Sequence, residues 1–119
     1  IDRSTNSGSS WDNMTTGLSP YPNWNSTPRL LRSVAFGNNT FVAVGASAKV
    51  IRSTDNGTSW SNSTSGVSSS IELYGVTFGN NTFVAVGQNG TIITSPDGIT
   101  WTTRTSGTSN SLYGVTFGE

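Results

Sequence analysis

Short runs of Val, Ile, Thr and aromatic residues alternate with Gly-rich and Asn-rich turns along the chain. In segment 73–78, the larger Val76 and Phe78 alternate with the small Gly75 and Thr77, so one face is apolar, as stacked twisted sheets require. Segment 82–87 is apolar on both faces, which predicts a strand buried on both sides. Each run is too short for a helix and is bounded by turn formers. The pattern predicts strands throughout and no helix.

These runs belong to a repeat. The sequence Gly-Asn-Asn-Thr-Phe-Val-Ala-Val-Gly at 37–45 recurs unchanged at 79–87, an offset of 42 positions. In the second copy we place strands A, B, C and D at 73–78, 82–87, 91–95 and 100–105. Four short antiparallel strands in about 40 to 45 residues are typical of a β-propeller blade. The fold class predicted is therefore all-β, with about two full blades and partial blades at both ends.

The repeat also divides the chain. The predicted segments are strands C and D of a partial blade at 1–16, an insertion at 17–30, blades at 31–66 and 73–106, and strand A of a further blade at 112–119. A propeller ring normally needs at least four blades. We therefore expect either a homo-oligomer or a longer chain that supplies the remaining blades.

A turn sequence links strands C and D. It reads Ser-Thr-Asp-Asn-Gly-Thr-Ser-Trp at 53–60, shortens to Ser-Pro-Asp-Gly-Ile-Thr-Trp at 95–101, and keeps Ser4 and Trp11 in the first copy, where Asn6 replaces the Asp. This element resembles the Asp-box of the bacterial neuraminidase repeat. The resemblance extends to the propellers of sialidases, photosystem II assembly factors and exported bacterial repeat proteins. It implies an extracellular or cell-surface protein whose Asp-boxes lie on the face opposite the ligand site.

The chemistry of this turn indicates a structural role. An Asp side chain can accept hydrogen bonds from backbone N–H groups two or three residues on, Gly allows a positive φ, and the Trp can fold back and bury its ring. The residues expected to form these clamps are Ser4, Trp11, Ser53, Asp55, Gly57, Trp60, Ser95, Asp97, Gly98 and Trp101.

Composition excludes several classes of function. Six basic and six acidic residues give a net charge of zero, so the chain lacks the cationic surface that nucleic acid binding requires. The absence of His and Cys excludes a Ser-His-Asp triad, a Cys nucleophile, disulfides and the usual zinc or haem ligands. No apolar run reaches the length of a membrane span. We expect no cofactor, no metal, no nucleic acid partner and no membrane insertion.

Few carboxylates remain for catalysis. Outside the turns they are Asp2, Asp12, Glu72 and Glu119, and none is paired by spacing. Glycoside hydrolysis needs two carboxylates about 5 to 10 Å apart. We therefore expect no enzyme. The alternative is a fragment of a sialidase-like glycoside hydrolase whose catalytic acids lie on blades absent here.

Three places could bind a ligand. The first is the insertion, where Gly17 to Leu31 spans 14 positions against 7 from Gly66 to Leu73, and which offers aromatic rings on a proline-stiffened loop. The second is the turn between strands B and C, which carries polar amides. The third is the start of strand A, where matching positions hold Arg or Tyr. The candidate ligand-binding residues are Tyr21, Trp24, Arg29, Arg32, Tyr74, Gln88, Asn89 and Tyr113.

Each place also has a purely structural interpretation. Trp24 could cover the top of a blade, the B-to-C turn is ordinary hairpin chemistry, and the Arg and Tyr positions could form a ring of contacts or pack blade to blade. The function predicted is a non-catalytic binding or scaffold module of an exported, surface or phage-like particle protein, with a glycan as the candidate ligand.

Overall fold

A computed structural model describes residues 2–13 and 31–118. The predicted insertion at 17–30, with Tyr21, Trp24 and Arg29, lies outside the described residues. The strands are β1 (Asp2–Arg3), β2 (Asp12–Asn13), β3 (Leu31–Gly37), β4 (Thr40–Gly45), β5 (Val50–Ser53), β6 (Ser61–Ser63), β7 (Leu73–Gly79), β8 (Thr82–Gly87), β9 (Ile92–Ser95) and β10 (Thr102–Arg104).

The strands form the predicted blades. Strands β3 to β6 make one four-stranded sheet and β7 to β10 another, each an antiparallel meander, while β1 pairs with β2. The first two strands pair in the same register in both sheets: Phe36 lies opposite Phe41 in one, and Phe78 lies opposite Phe83 in the other. The prediction of an all-β fold with four-stranded blades is confirmed.

Two details of the secondary structure differ from the prediction. Strands C and D of the second blade are shorter than expected, at Ile92–Ser95 and Thr102–Arg104. The prediction of no helix was wrong, since single 3₁₀ turns occupy Ala46–Ala48 and Gln88–Gly90 between strands B and C. These turns carry a positive φ at Ser47 and Asn89, a conformation that a residue pattern of strands and hairpins does not reveal.

The core lies between the two complete blades. Its buried side chains are Val42, Val44 and Val50 from the first blade and Leu73, Val76, Phe83, Ala85 and Ile93 from the second. In β4, Val42, Ala43 and Val44 are at most 1% exposed, as expected for a strand covered on both faces. In β8, Val84 is only half-buried. The second blade is thus fully covered only on the side that faces the first.

Residues 112–118 take the position of a third strand A but form no strand. Leu112 donates its backbone N–H to the carbonyl of Gly87, 2.9 Å away. A Cβ placed on Gly75 would lie 3.3 Å from the carbonyl oxygen of Tyr113, so the segment runs close beside β7. The expected strand A is absent because no strand of the described chain pairs with this segment.

Candidate functional site

A β-bulge at the start of strand A sets the direction of two candidate side chains. The pairing of β3 with β4 shifts between Leu31 and Ser33, and that of β7 with β8 shifts at the corresponding place. Arg32 and Tyr74 are the residues passed over. A bulge leaves its extra residue outside the ladder and redirects the side chain. Both residues are therefore positioned by the same local device.

The redirected side chains stack on one another across the blades. The guanidinium carbon of Arg32 lies 5.4 Å from the centroid of the Tyr74 ring. The Tyr74 ring in turn lies 4.7 Å, centroid to centroid, from that of Tyr113 at an interplanar angle of 33°. Tyr113 is 70% exposed. We call these three side chains the Arg–Tyr–Tyr stack; its members pack blade to blade and leave one ring open to solvent.

Glu72 joins this stack, although no spacing rule paired it. Its Oε2 atom lies 3.3 Å from the Nη2 atom of Arg32, which balances the charge of the guanidinium. Partial burial, and after it the negative charge of Glu72, raises the pKa of Tyr74 above its ordinary value of 10.0. The sequence signal for Glu72 is only its nearness to Tyr74, two positions further along the chain.

The turn between β8 and β9 is hydrogen-bonded to Glu72, beside the Arg–Tyr–Tyr stack. Gln88 accepts a hydrogen bond from the Glu72 N–H at its Oε1 atom, 2.9 Å away, and donates its own backbone N–H to the Glu72 carbonyl at 2.9 Å. Asn89 is exposed with φ of 57°. Of the predicted ligand-binding residues, the structure thus brings Arg32, Tyr74 and Tyr113 together, with Gln88 beside them.

The Asp turns lie at the opposite ends of the strands. Asp55 accepts hydrogen bonds from the Ser53 hydroxyl at 2.8 Å and from the backbone N–H and hydroxyl of Ser59. The Ser59 and Ser53 hydrogen bonds stabilise the carboxylate and lower the pKa of Asp55 from 3.8 to about 2. Gly57, at φ of 83°, donates its N–H to the Ser53 hydroxyl. The Asp55 carboxylate thus stabilises its own turn.

The other two turns repeat this arrangement. Asp97 accepts hydrogen bonds from the backbone N–H groups of Ile99 and Thr100 at 2.9 and 3.1 Å, which lower its pKa. In the first turn the side-chain oxygen of Asn6 accepts from the Ser10 N–H at 2.9 Å. An amide therefore replaces the carboxylate without loss of the turn.

The Trp side chains close these turns and are buried to different degrees. The indole N–H groups of Trp11, Trp60 and Trp101 donate to the carbonyls of Gly8, Gly57 and Gly98 at 3.1, 3.0 and 3.2 Å. Trp60 and Trp101 are half-buried, while Trp11 is 63% exposed. Trp101 packs against the core, and the Trp60 ring lies 6.2 Å from that of Phe41, centroid to centroid. The expectation of buried rings therefore holds in part for these two turns and fails for the first one.

Two arginines connect these turns between blades, a role that sequence reasoning missed. Arg52 donates from Nε to the carbonyl of Asp97 in the next blade at 2.9 Å. Arg3 donates from Nη1 to the carbonyl of Asn56 at the same distance, 2.9 Å. The sequence does contain a signal for this role, because each arginine directly precedes the first Ser of its own turn.

The two ends of the strands present different groups. The Asp55 and Asp97 carboxylates are occupied by their own turns, and the described residues contain no group of three metal-ligating side chains. The Asp turns lie at one end, and at the other end the Arg–Tyr–Tyr stack offers an exposed ring, with the Arg32–Glu72 ion pair and the Gln88 amide beside it. Within the described ranges, no helix is long and apolar enough to cross a membrane.

The DUF6242 beta propeller domain matches residues 4–118. This match covers almost the whole chain, so the chain belongs to that family of β-propeller domains. No curated protein matches it.

Proposed function

We propose that this propeller domain is a non-catalytic binding module that holds a neutral saccharide on the Arg–Tyr–Tyr stack. The observation that carries the proposal is the Tyr113 ring, which rests on Tyr74 at 4.7 Å and is 70% exposed. The apolar face of a sugar ring stacks on such a surface. Because Tyr74 supports it from behind, Tyr113 loses little conformational freedom when a ligand binds.

Charge supports a neutral ligand. Glu72 lies 3.3 Å from Arg32, so the site presents no uncompensated charge to attract an anion or a cation. Gln88 and Asn89 border the same end of the blade and carry amides, which suit hydroxyl groups. The carboxylates of Asp55 and Asp97 lie at the other end of the strands. They are therefore not placed to act as a pair of catalytic acids at this site.

Binding of neutral glycans tests this proposal. A glycan array identifies the ligand, and calorimetry then compares the wild type with Tyr113→Ala and Tyr113→Phe. We expect Tyr113→Ala to lose binding without a change in melting temperature, and Tyr113→Phe to keep it, because the ring supplies the contact. Unchanged affinity in Tyr113→Ala, or turnover of the bound glycan, contradicts the proposal.

We also propose that the Ser-Asp-Gly-Trp turns are Asp-boxes and that the protein is exported or displayed on a surface. The turn hydrogen bonds around Asp55 and Asp97 support the first part. The second part depends on the resemblance to exported repeat proteins. Protease treatment of intact producing cells tests it, since a surface protein is degraded while an internal control protein is not.

A further inference from the structure

We propose that a groove between the two complete blades binds one sugar acid through the carboxylate of the ligand. The groove lies between the edge strand β6 and the Asp turn of the second blade, and it measures about 330 Å³. It is at the opposite end of the strands from the Arg–Tyr–Tyr stack, so this inference does not depend on saccharide binding there. The lining residues all belong to the two complete blades and are Arg52, Ser61, Asn62, Ser63, Thr64 and Ile99.

The guanidinium of Arg52 is held in this groove at one nitrogen. Its Nε atom donates to the Asp97 carbonyl at 2.9 Å. The turn also packs against the stem of the side chain, because a Cβ placed on Gly98 would lie 3.3 Å from Cδ of Arg52. Among the described residues, no acceptor bonds to Nη1 or Nη2. Both terminal nitrogens therefore keep their donors, in the planar arrangement that binds the two oxygens of a carboxylate.

The acidic residue of the adjacent turn does not balance this charge. The Asp97 carboxylate accepts hydrogen bonds from the Ser95 hydroxyl and from the backbone N–H groups of Ile99 and Thr100. Within the part of the chain that the structure describes, Arg52 forms no ion pair. The groove thus presents one positive charge on a side chain that is already positioned, which lowers the entropy lost when an anion binds.

The preceding junction contains the same arginine in a satisfied state. Arg3 stands where Arg52 stands, directly before the first Ser of its turn. Its Nη1 atom donates to the hydroxyl of Thr58 at 3.1 Å. In the next turn the residue after the Gly is Ile99, whose side chain has no acceptor. A terminal nitrogen that the chain satisfies at one junction is therefore left for a ligand at the other.

The facing strand differs between the junctions in the same sense. Asp12 lies opposite Arg3 in the pairing of β1 with β2, whereas Ser61 lies opposite Arg52 in the pairing of β5 with β6. Directly opposite residues of an antiparallel pair point to the same face of the sheet. The preceding junction thus has a carboxylate beside its arginine, and the groove has a hydroxyl. A bound carboxylate would supply the missing negative charge.

The rest of the lining suits the body of a sugar. Ser61 and Thr64 are exposed and carry hydroxyl groups, and Ile99 is 53% exposed and forms an apolar wall. Hydroxyl groups exchange hydrogen bonds with those of a sugar, and an apolar wall packs on its C–H groups. One guanidinium balances one carboxylate better than it balances a phosphate dianion. The ligand class is therefore a hexuronic acid, either free or as a unit of a polymer.

NMR titration of the chain at low salt, where charge interactions are least screened, tests the proposal. The probes are galacturonate, the uncharged galactose, inorganic phosphate and the galacturonate trimer. Ser61→Asp copies the preceding junction and should occupy Arg52 from within the chain. Its matched control is Thr102→Asp, which adds the same charge at the corresponding position of the second blade, opposite Thr94. Arg52→Gln removes the guanidinium directly.

We expect galacturonate to shift the amide signals of residues 61–64 and 99 with a Kd of about 1 mM. Affinity should fall about tenfold in Ser61→Asp and in Arg52→Gln, and should be unchanged in Thr102→Asp. Tighter binding of the trimer at the same amides would support a polymer as the source, and equal binding would support the free acid.

Three results would overturn the proposal. The first is that galactose or phosphate shifts the same amides with an affinity equal to that of galacturonate, since the carboxylate would then not be recognised. The second is that Ser61→Asp binds galacturonate as the wild type does. The third is that no shift of these amides occurs at about 10 mM galacturonate.

Discussion

Phe78 packs its ring directly on Gly37 of the preceding blade. A Cβ on Gly37 would lie only 2.0 Å from the ring carbon Cδ1, closer than any real contact. The glycine thus lets two blades approach, and the same relation recurs between Phe117 and Gly79. The blades are joined by this contact and by the shared core behind it.

Replacing Gly37 by Ala should therefore destabilise the protein. The added methyl group meets the Phe78 ring, which is packed against the core, and overpacking of this kind costs about 1 to 3 kcal/mol. Gly114→Ala is the matched control, because nothing lies within 4 Å of a Cβ at that position. Urea unfolding of both variants measures the difference. Equal stability of the two variants would contradict the packing relation.

Stability should depend on pH through Asp55. Its folded pKa is about 2, below its ordinary value of 3.8, so its contribution is complete above about pH 4 and is lost as the pH falls towards 2. Asp55→Asn removes that contribution while keeping the turn, as Asn6 shows. Urea unfolding from pH 7 to pH 2 should show the wild type and the variant converging in acid. A constant difference between them would refute the assignment.

Trp60→Ala should cost about 2 kcal/mol, less than the 3 to 5 typical of a fully buried aromatic residue. The Trp60 ring is only half-buried, so its removal exposes less apolar surface. Its N–H also donates to the Gly57 carbonyl, and this bond is lost as well. Trp11→Ala provides the comparison, since that ring is 63% exposed and should contribute less than about 1 kcal/mol. Thermal unfolding measures both. A larger loss for Trp11→Ala would be inconsistent with the observed burial.

Arg52→Ala should weaken the junction between the two blades by about 1 kcal/mol, because it removes a charged hydrogen-bond donor at the surface. Arg52 reaches the Asp97 carbonyl of the next blade, whereas Arg104 contacts Thr94 within its own blade. Arg104→Ala is therefore the control and should have the smaller effect. Chemical denaturation compares them, with hydrogen exchange at residues 97–101 as a local readout that should rise only in Arg52→Ala.

Local features of this protein were predictable from its sequence. The strands, the exact repeat and the Asp turns depend on residues close together in the chain, such as Ser53, Asp55 and Gly57. Turn chemistry and alternation act over a few residues, so a pattern suffices to predict them. The observed strand boundaries differ from the predicted ones where residues still belong to a turn. Thr100 is an example, because its N–H bonds to the Asp97 carboxylate.

Only the tertiary structure decided how the blades meet. The hydrogen bond from the Val76 N–H to the Ser33 hydroxyl joins residues 43 positions apart, and Arg3 reaches Asn56 over 53. The ion pair of Arg32 with Glu72 likewise spans two blades. A pattern of strands does not encode these contacts, because they arise from the distance and angle at which two twisted sheets pack. The sequence determined the blade, and the packing of one blade on the next determined the candidate site.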